Sequence, residues 1–312
     1  MSAQASFLSI AHTKKLRCEK FLNEMEKIVP WDRLVQAVEP HYPHHDTGRR
    51  RKELKMMLKI LCLQQWYNLS DAGMEEAIYD RCSFQKFLEV DLLGDTVPDE
   101  TTICKFRHLL EEHGLQEVFF GVVHDILTAK QILVKNGTIV DATIIPAPAS
   151  TKNEERKRDP DMSSTKKGQK WFFGMKAHIG TDMKGFVHSL EATTAKVHDS
   201  TMLPQLLHGG EQAVLGDKAY AKDERKREAR AAGVFWGVTD RGKRGHALSS
   251  SQRKRNRKLS SVRSFVEHPF RVIKCQWKFV KVRYRGLPKN NAHLHLLFAL
   301  CNLYRARKLL LV

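Results

Sequence analysis

No two cysteines of this chain form a C-x-x-C pair: Cys18, Cys62, Cys82, Cys104, Cys275 and Cys301 are scattered over 312 residues. A disulfide framework and the usual zinc spacings are thereby excluded, and reduced thiols are expected. Apolar runs long enough to span a bilayer are also missing. The longest, Leu294 to Tyr304, is interrupted by His295 and Asn302. A signal peptide is not expected, because the short stretch Phe7 to Ala11 is followed, not preceded, by Lys14 and Lys15. His41, His44 and His45 share a turn-rich loop with no acidic or thiol ligand at binding spacing, so they read as incidental. Acidic charge is scarce beside basic: 35 Asp and Glu against 53 Lys and Arg, a net +18 with a pI near 9.7. That excess favours a polyanionic partner. With no amphipathic lipid-binding stretch or lipidation motif, nucleic acid comes before membrane. A basic but otherwise ordinary enzyme is the alternative. Hydrophobic residues at 42% exclude a disordered chain and suffice for a full core.

Residues 1–130 read as mostly helical. Leu16, Phe21, Leu22, Met25 and Ile28 make a helical stripe in Lys15 to Ile28, which Pro30 ends. Arg49 to Trp66 is a basic start running into a strongly apolar helix. Asn68 to Asp71 offers caps for another, Ala72 to Ile78, and Pro98 to Glu112 opens a further helix with proline and acids in its first turn. Leu69 to Leu110 fits a helix-turn-helix-like module or a plain helical subdomain, and both remain open.

From residue 137 the pattern changes to strands alternating with helices. Gly137 to Thr143 is a short β-branched run carrying Asp141, with Pro146 and Pro148 soon after. Ser150 to Lys170 is polar and charged, and reads as a mobile loop able to touch phosphates or as idle surface. Phe172 to Gly180 and Gly185 to Thr194 are strands joined by a hairpin turn. Asp199 to Leu207 is a short helix. Ala213 to Tyr220 is again an apolar run ending in a carboxylate, Asp217. A charged helix, Asp223 to Ala232, is closed by Gly233 and followed by a strand, Val234 to Thr239. Residues 241–258 hold eight Lys and Arg and no acid, including Arg253, Lys254, Arg255, Arg257 and Lys258. Beside a carboxylate site such a run makes a track for a DNA backbone. Asn291 to Leu311 is an apolar helix expected to pack on the sheet. The fold class expected is α/β, a mixed sheet flanked by helices, with an N-terminal all-α region. The expected division is a helical DNA-binding region, 1–130, and a catalytic domain, 131–312.

Asp141, Asp217 and Glu267 can meet where two adjacent strands are crossed by a helix. Carboxylates that close repel unless cations bind between them, and oxygen ligands favour Mg²⁺ or Mn²⁺. A pair of such ions activates a water and stabilises the leaving oxygen of a phosphodiester. A lone Asp at a strand end is ordinarily a cap; three acids in a chain of +18 alter that balance.

Arg263, Glu267 and Lys274, at spacings of four and seven, together with Val266-Glu-His-Pro-Phe270, resemble the signature of DDE transposases of bacterial insertion sequences, specifically the insertion-sequence-five group. Ile139 to Thr143 and Gly216 to Tyr220 are similar to that family's first and second Asp motifs, and Pro98 to Thr102 to its N-terminal domain. The resemblance runs from about residue 45 to the C-terminus. It implies a ribonuclease H-like catalytic domain, dependence on Mg²⁺, and DNA cleavage with strand transfer at terminal inverted repeats. By carry-over Asp141, Asp217 and Glu267 hold two metal ions, and Arg263 and Lys274 contact transposon DNA. The family's Tyr, three residues before the Arg, is Ser260 here. Pro269, two residues past Glu267, disfavours a straight helix. The expected partners are double-stranded DNA, as element ends and target, and a second copy of the chain in a homodimer on DNA. No membrane partner is expected, and the expected location is the bacterial cytoplasm at the nucleoid. A metal-dependent nuclease without strand transfer, or a non-catalytic DNA-binding protein of transposase descent, are the alternatives.

Overall fold

Helical spacing of apolar residues in the first third of the chain is met by helices in the computed structural model, which describes residues 16–43, 51–152, 154, 156–240, 242 and 246–311. Lys15, His44, His45, Arg49 and Arg50, and residues 241 and 243–245 of the basic run, lie outside the described residues. The chain divides into two units. One runs to Leu110 and resumes at Leu303; the other is Glu111–Asn302.

The first unit holds α1 (Arg17–Ile28), α2 (Trp31–Val38), α3 (Leu54–Tyr67), α4 (Asp71–Asp80), α5 (Cys82–Leu88) and most of α6 (Glu100–Glu112). The apolar pattern does not announce α2: Pro30 ends α1 and also stands at the N-cap of α2. α3 is apolar on every side and buried along almost its whole length. Its one buried cation, Lys59, is fully paired: the ammonium donates to the Phe87 carbonyl (2.9 Å) and the Glu89 carboxylate (2.7 Å), and Glu26 lies at 3.2 Å. Ser70 caps α4 by accepting from the Gly73 amide (3.0 Å), and Asp99 caps α6 by accepting from that of Thr102 (2.7 Å). Within this unit Tyr304 meets Phe21 edge-on, and Arg307 pairs with Glu24 at 3.3 Å.

The second unit is built on a six-stranded sheet: β1 (Gly137–Pro146), β2 (Ser163–Lys167), β3 (Lys170–Thr181), β4 (Val187–Thr194), β5 (Ala213–Gly216) and β6 (Phe235–Val238). Its order is β2-β3-β1-β5-β6, with β4 also on β3. β1 is antiparallel to β3 and parallel to β5, and β5 is parallel to β6, so the sheet is mixed, as the strand and helix alternation suggested. Helices α7 (Leu115–Ala129), α8 (Leu203–Leu206), α9 (Asp223–Ala231), α10 (Ser250–Arg263), α11 (Glu267–Arg271) and most of α12 (Leu287–Leu310) complete it. α12 is fixed to the sheet by Asn302, whose amide accepts from the Val187 N–H (3.0 Å) and donates to the Val187 carbonyl (2.7 Å).

One expectation changes here, while β1 passes Asp141 and, paired antiparallel with β3, runs to Pro146, the proline expected to stop it. Ser150 to Lys170 is not all loop, because Ser163–Lys167 pairs with β3 as an edge strand. Its Ser, Thr and Lys side chains lack an apolar face, and one-sided polar strands of this kind give no alternation to read. Among the described residues no helix is long and apolar enough to cross a membrane.

Candidate active site

The parallel pairing of β1 with β5 sets the site. Gly137, Thr138 and Ile139 face Ala213, Val214 and Leu215, a constant offset of 76 (213 − 137). Asp141 and Asp217 differ by the same 76 (217 − 141), so extending the register by two residues puts both acids at one level on neighbouring strands. Asp141 is mid-strand, and Asp217 directly follows β5, where one carboxylate oxygen accepts from the Ala219 amide (2.8 Å) and caps the 3₁₀ turn Lys218–Tyr220. The cap and the site position are therefore held by one residue.

Glu267 arrives from a different direction. α10 starts with a capping box in which Ser249 accepts from the Gln252 amide (3.1 Å) and the Gln252 side chain accepts from that of Ser249 (2.9 Å). α10 touches β5, and the 3₁₀ turn after it, Ser264–Val266, touches β1. Glu267 then opens α11. Pro269 falls in the first turn of that short helix, where a missing N–H costs little, and the backbone keeps right-handed helical dihedrals from α10 through the 3₁₀ turn into α11. Residues Val272–Gln276 continue as a π-helical turn.

Arg263 stands between the acids. Its guanidinium is 3.8 Å from Asp141 and 3.6 Å from Glu267. Asp141, with its side chain 22% exposed, accepts from the Ala142 amide (2.9 Å). Burial raises its pKa to about 6; the Ala142 amide and Arg263 oppose the rise, and Asp217 and Glu267 add to it. Lys274 is directed elsewhere. It donates to the Thr143 hydroxyl (2.6 Å) and the Ile144 carbonyl (2.7 Å), further along β1. Burial, aided by Lys167, holds its pKa down at about 8.

Of the basic run, Arg253, Lys254, Arg257 and Lys258 are exposed on α10, as is Ser260. Arg255 is turned inward: it donates to the Trp236 carbonyl (2.7 Å), the Val238 carbonyl (3.1 Å) and the Asp240 carboxylate (3.1 Å), and so fastens α10 to β6. Sequence reasoning does not single out Tyr220, Asp199 or Lys176. Tyr220 packs in an apolar cluster with Val140 and Val214, and its pKa is raised by burial and then by Asp199, Asp141 and Asp217. Asp199 is ion-paired with Lys176 of β3 at 2.8 Å. Tyr220 and Asp199 each lie a few residues past a strand, β5 and β4, but only the fold reveals that Tyr220 feels Asp141 and Asp217 as well as Asp199.

The donors here are carboxylate oxygens, the set that hard divalent cations prefer. Burial is the main reason the Asp141 carboxylate is costly to ionise, with Asp217 and Glu267 adding to that cost, and a bound cation would relieve it. Among the described residues no three acidic, imidazole or thiol groups are already gathered around one point, and Arg263 supplies the positive charge between Asp141 and Glu267. The residues fit such ions by chemistry. Residues 133–303 match the family model described as Transposase DDE domain, and residues 11–109 match one described as a transposase domain. No solved structure matches the chain.

Proposed function

Because the chain belongs to the transposase DDE domain family, we propose that it binds the terminal inverted repeats of an insertion sequence, cuts DNA there and transfers the cut strand to a target. The observation that carries the reading is the shared offset of 76 that sets Asp141 beside Asp217. The family works with divalent metal ions. In this reading Asp141, Asp217 and Glu267 hold two of them, Mg²⁺ or Mn²⁺, which supply activation of the attacking oxygen and stabilisation of the leaving one.

The chain's own residues do the rest. Arg263 balances charge between Asp141 and Glu267 and is placed to take a phosphate when cations occupy the acids. Lys274 braces β1 just past Asp141 and offers an ammonium near the same end of the sheet. The exposed cations of α10 follow the DNA backbone. Helices of the first unit recognise the element end, and two copies of the chain assemble on DNA.

The test uses full-length protein, Mg²⁺ and pre-cleaved end DNA with a target duplex. Joined products are expected. Cutting of intact ends without joining would demote the chain to a nuclease.

A further inference from the structure

The β2–β3 hairpin holds features that neither the acids nor the core uses. It turns through Gly168, at φ +61, and Gln169. Around that turn Lys166, Lys167 and Lys170 are exposed, and Trp171 is 70% exposed. Lys167 is the cross-strand partner of Lys170, and Lys166 that of Trp171. Like charges set opposite each other weaken a hairpin, and an indole in water gains nothing from burial. Folding therefore favours neither choice. Trp171 shares its face of the hairpin with Lys166 and Phe173, and the Arg158 guanidinium lies 5.4 Å over the Phe173 ring. Cations interleaved with aromatic faces on one side of a ribbon suit a phosphate backbone and its bases better than an apolar protein surface.

The hairpin is held at its base. The Ala147 amide donates to the Phe173 carbonyl (2.8 Å) and the Lys196 amide to the Ser163 hydroxyl (2.8 Å). Gly174 permits this closeness, since a Cβ there would run into the Ile145 carbonyl and the Ala147 amide.

Resting on the reading that this chain acts on DNA, the geometry points to the β2–β3 hairpin as a second DNA-docking element that enters a groove tip first, with Lys166 and the Trp171 indole on one face and Lys167 and Lys170 on the other, each meeting a wall of the groove. The probe is labelled duplex DNA ending in the element's inverted repeat, titrated with full-length protein over a range of salt. Trp171→Ala is expected to weaken binding roughly tenfold, and Trp171→Phe to recover most of the loss. Lys166→Ala, Lys167→Ala and Lys170→Ala together should lower the slope of log affinity against log salt by roughly 2 to 3. DNA should shield wild-type fluorescence from acrylamide and leave that of Trp171→Phe unshielded. These side chains are exposed, so unchanged melting identifies variants that fold normally, and Trp171 shielding reads the contact in wild type alone. Affinity, slope and shielding that stay at wild-type values in these variants would overturn the hairpin's role while DNA binding itself stands. Variants that bind DNA normally but lose self-association in sedimentation would overturn it in favour of a contact between copies. Failure of the wild type to bind any duplex would remove the DNA reading and this one with it.

Discussion

Asp141 combines burial with acidic neighbours, and the consequence is a pKa raised to about 6 from an ordinary 3.8. A carboxyl whose folded pKa lies above its unfolded value binds protons more tightly in the folded state. Its ionisation therefore costs stability as pH rises from about 4 through about 6, and the cost is constant above that. A rise of this size corresponds to about 3 kcal/mol. Without divalent metal, Asp141→Asn should be more stable than wild type by up to this amount at pH 7.5 and nearly equal to it at pH 4, as urea melts at both values would read. Mg²⁺ should reverse the order at pH 7.5, because only wild type keeps the full set of acids. A variant less stable than wild type at neutral pH in chelator would show that Asp141 is held by structural bonds instead. The sequence made Asp141 visible through its motif. It did not reveal Arg263 as the counter-charge of Asp141, because a pairing that spans 122 positions (263 − 141) has no local signature, unlike the i,i+4 spacing of Arg263 and Glu267.

At the scale of elements, α10 separates two kinds of arginine within one charge run. Arg255 bonds to β6 through two carbonyls and Asp240, while Arg253, Lys254, Arg257 and Lys258 are exposed. Arg255→Ala should cost about 1–3 kcal/mol of stability and leave the salt dependence of DNA affinity nearly unchanged. Neutralising the other four should spare stability and flatten the salt slope by about 0.9 for each phosphate no longer neutralised. Denaturant melts and salt titrations on the same two variants check this, and the opposite assignment would contradict it. A run of like charge cannot announce which member turns inward, since that depends on the carbonyls that β6 presents. The same limit hid β2, whose polar residues carry no period, and α2, which begins at the proline that ends α1. Elements with strong local chemistry were legible: a cap within Asn68 to Asp71, supplied by Ser70, the hairpin turn between β3 and β4, and Gly233 closing α9.

For the whole molecule, net charge of +18 and the two family matches agree on a nucleic-acid partner. The chain order strand, hairpin, strand, strand allowed the mixed sheet to be anticipated, and the β1 and β5 register then converts a sequence separation of 76 into adjacency. Glu267 required a helix to cross the strand ends, which α10, the following turn and α11 supply. The most direct test of the three acids is cleavage and gel-shift of end DNA on the same preparations of Asp141→Asn, Asp217→Asn and Glu267→Gln, with Mg²⁺. Each should lose nearly all cleavage, combinations should lose no more than single changes, and DNA binding should persist or tighten because a negative charge beside phosphate is gone. An Asp217→Asn protein that binds end DNA and cuts it at near wild-type rate would contradict the pairing of Asp141 with Asp217 as the centre of the site.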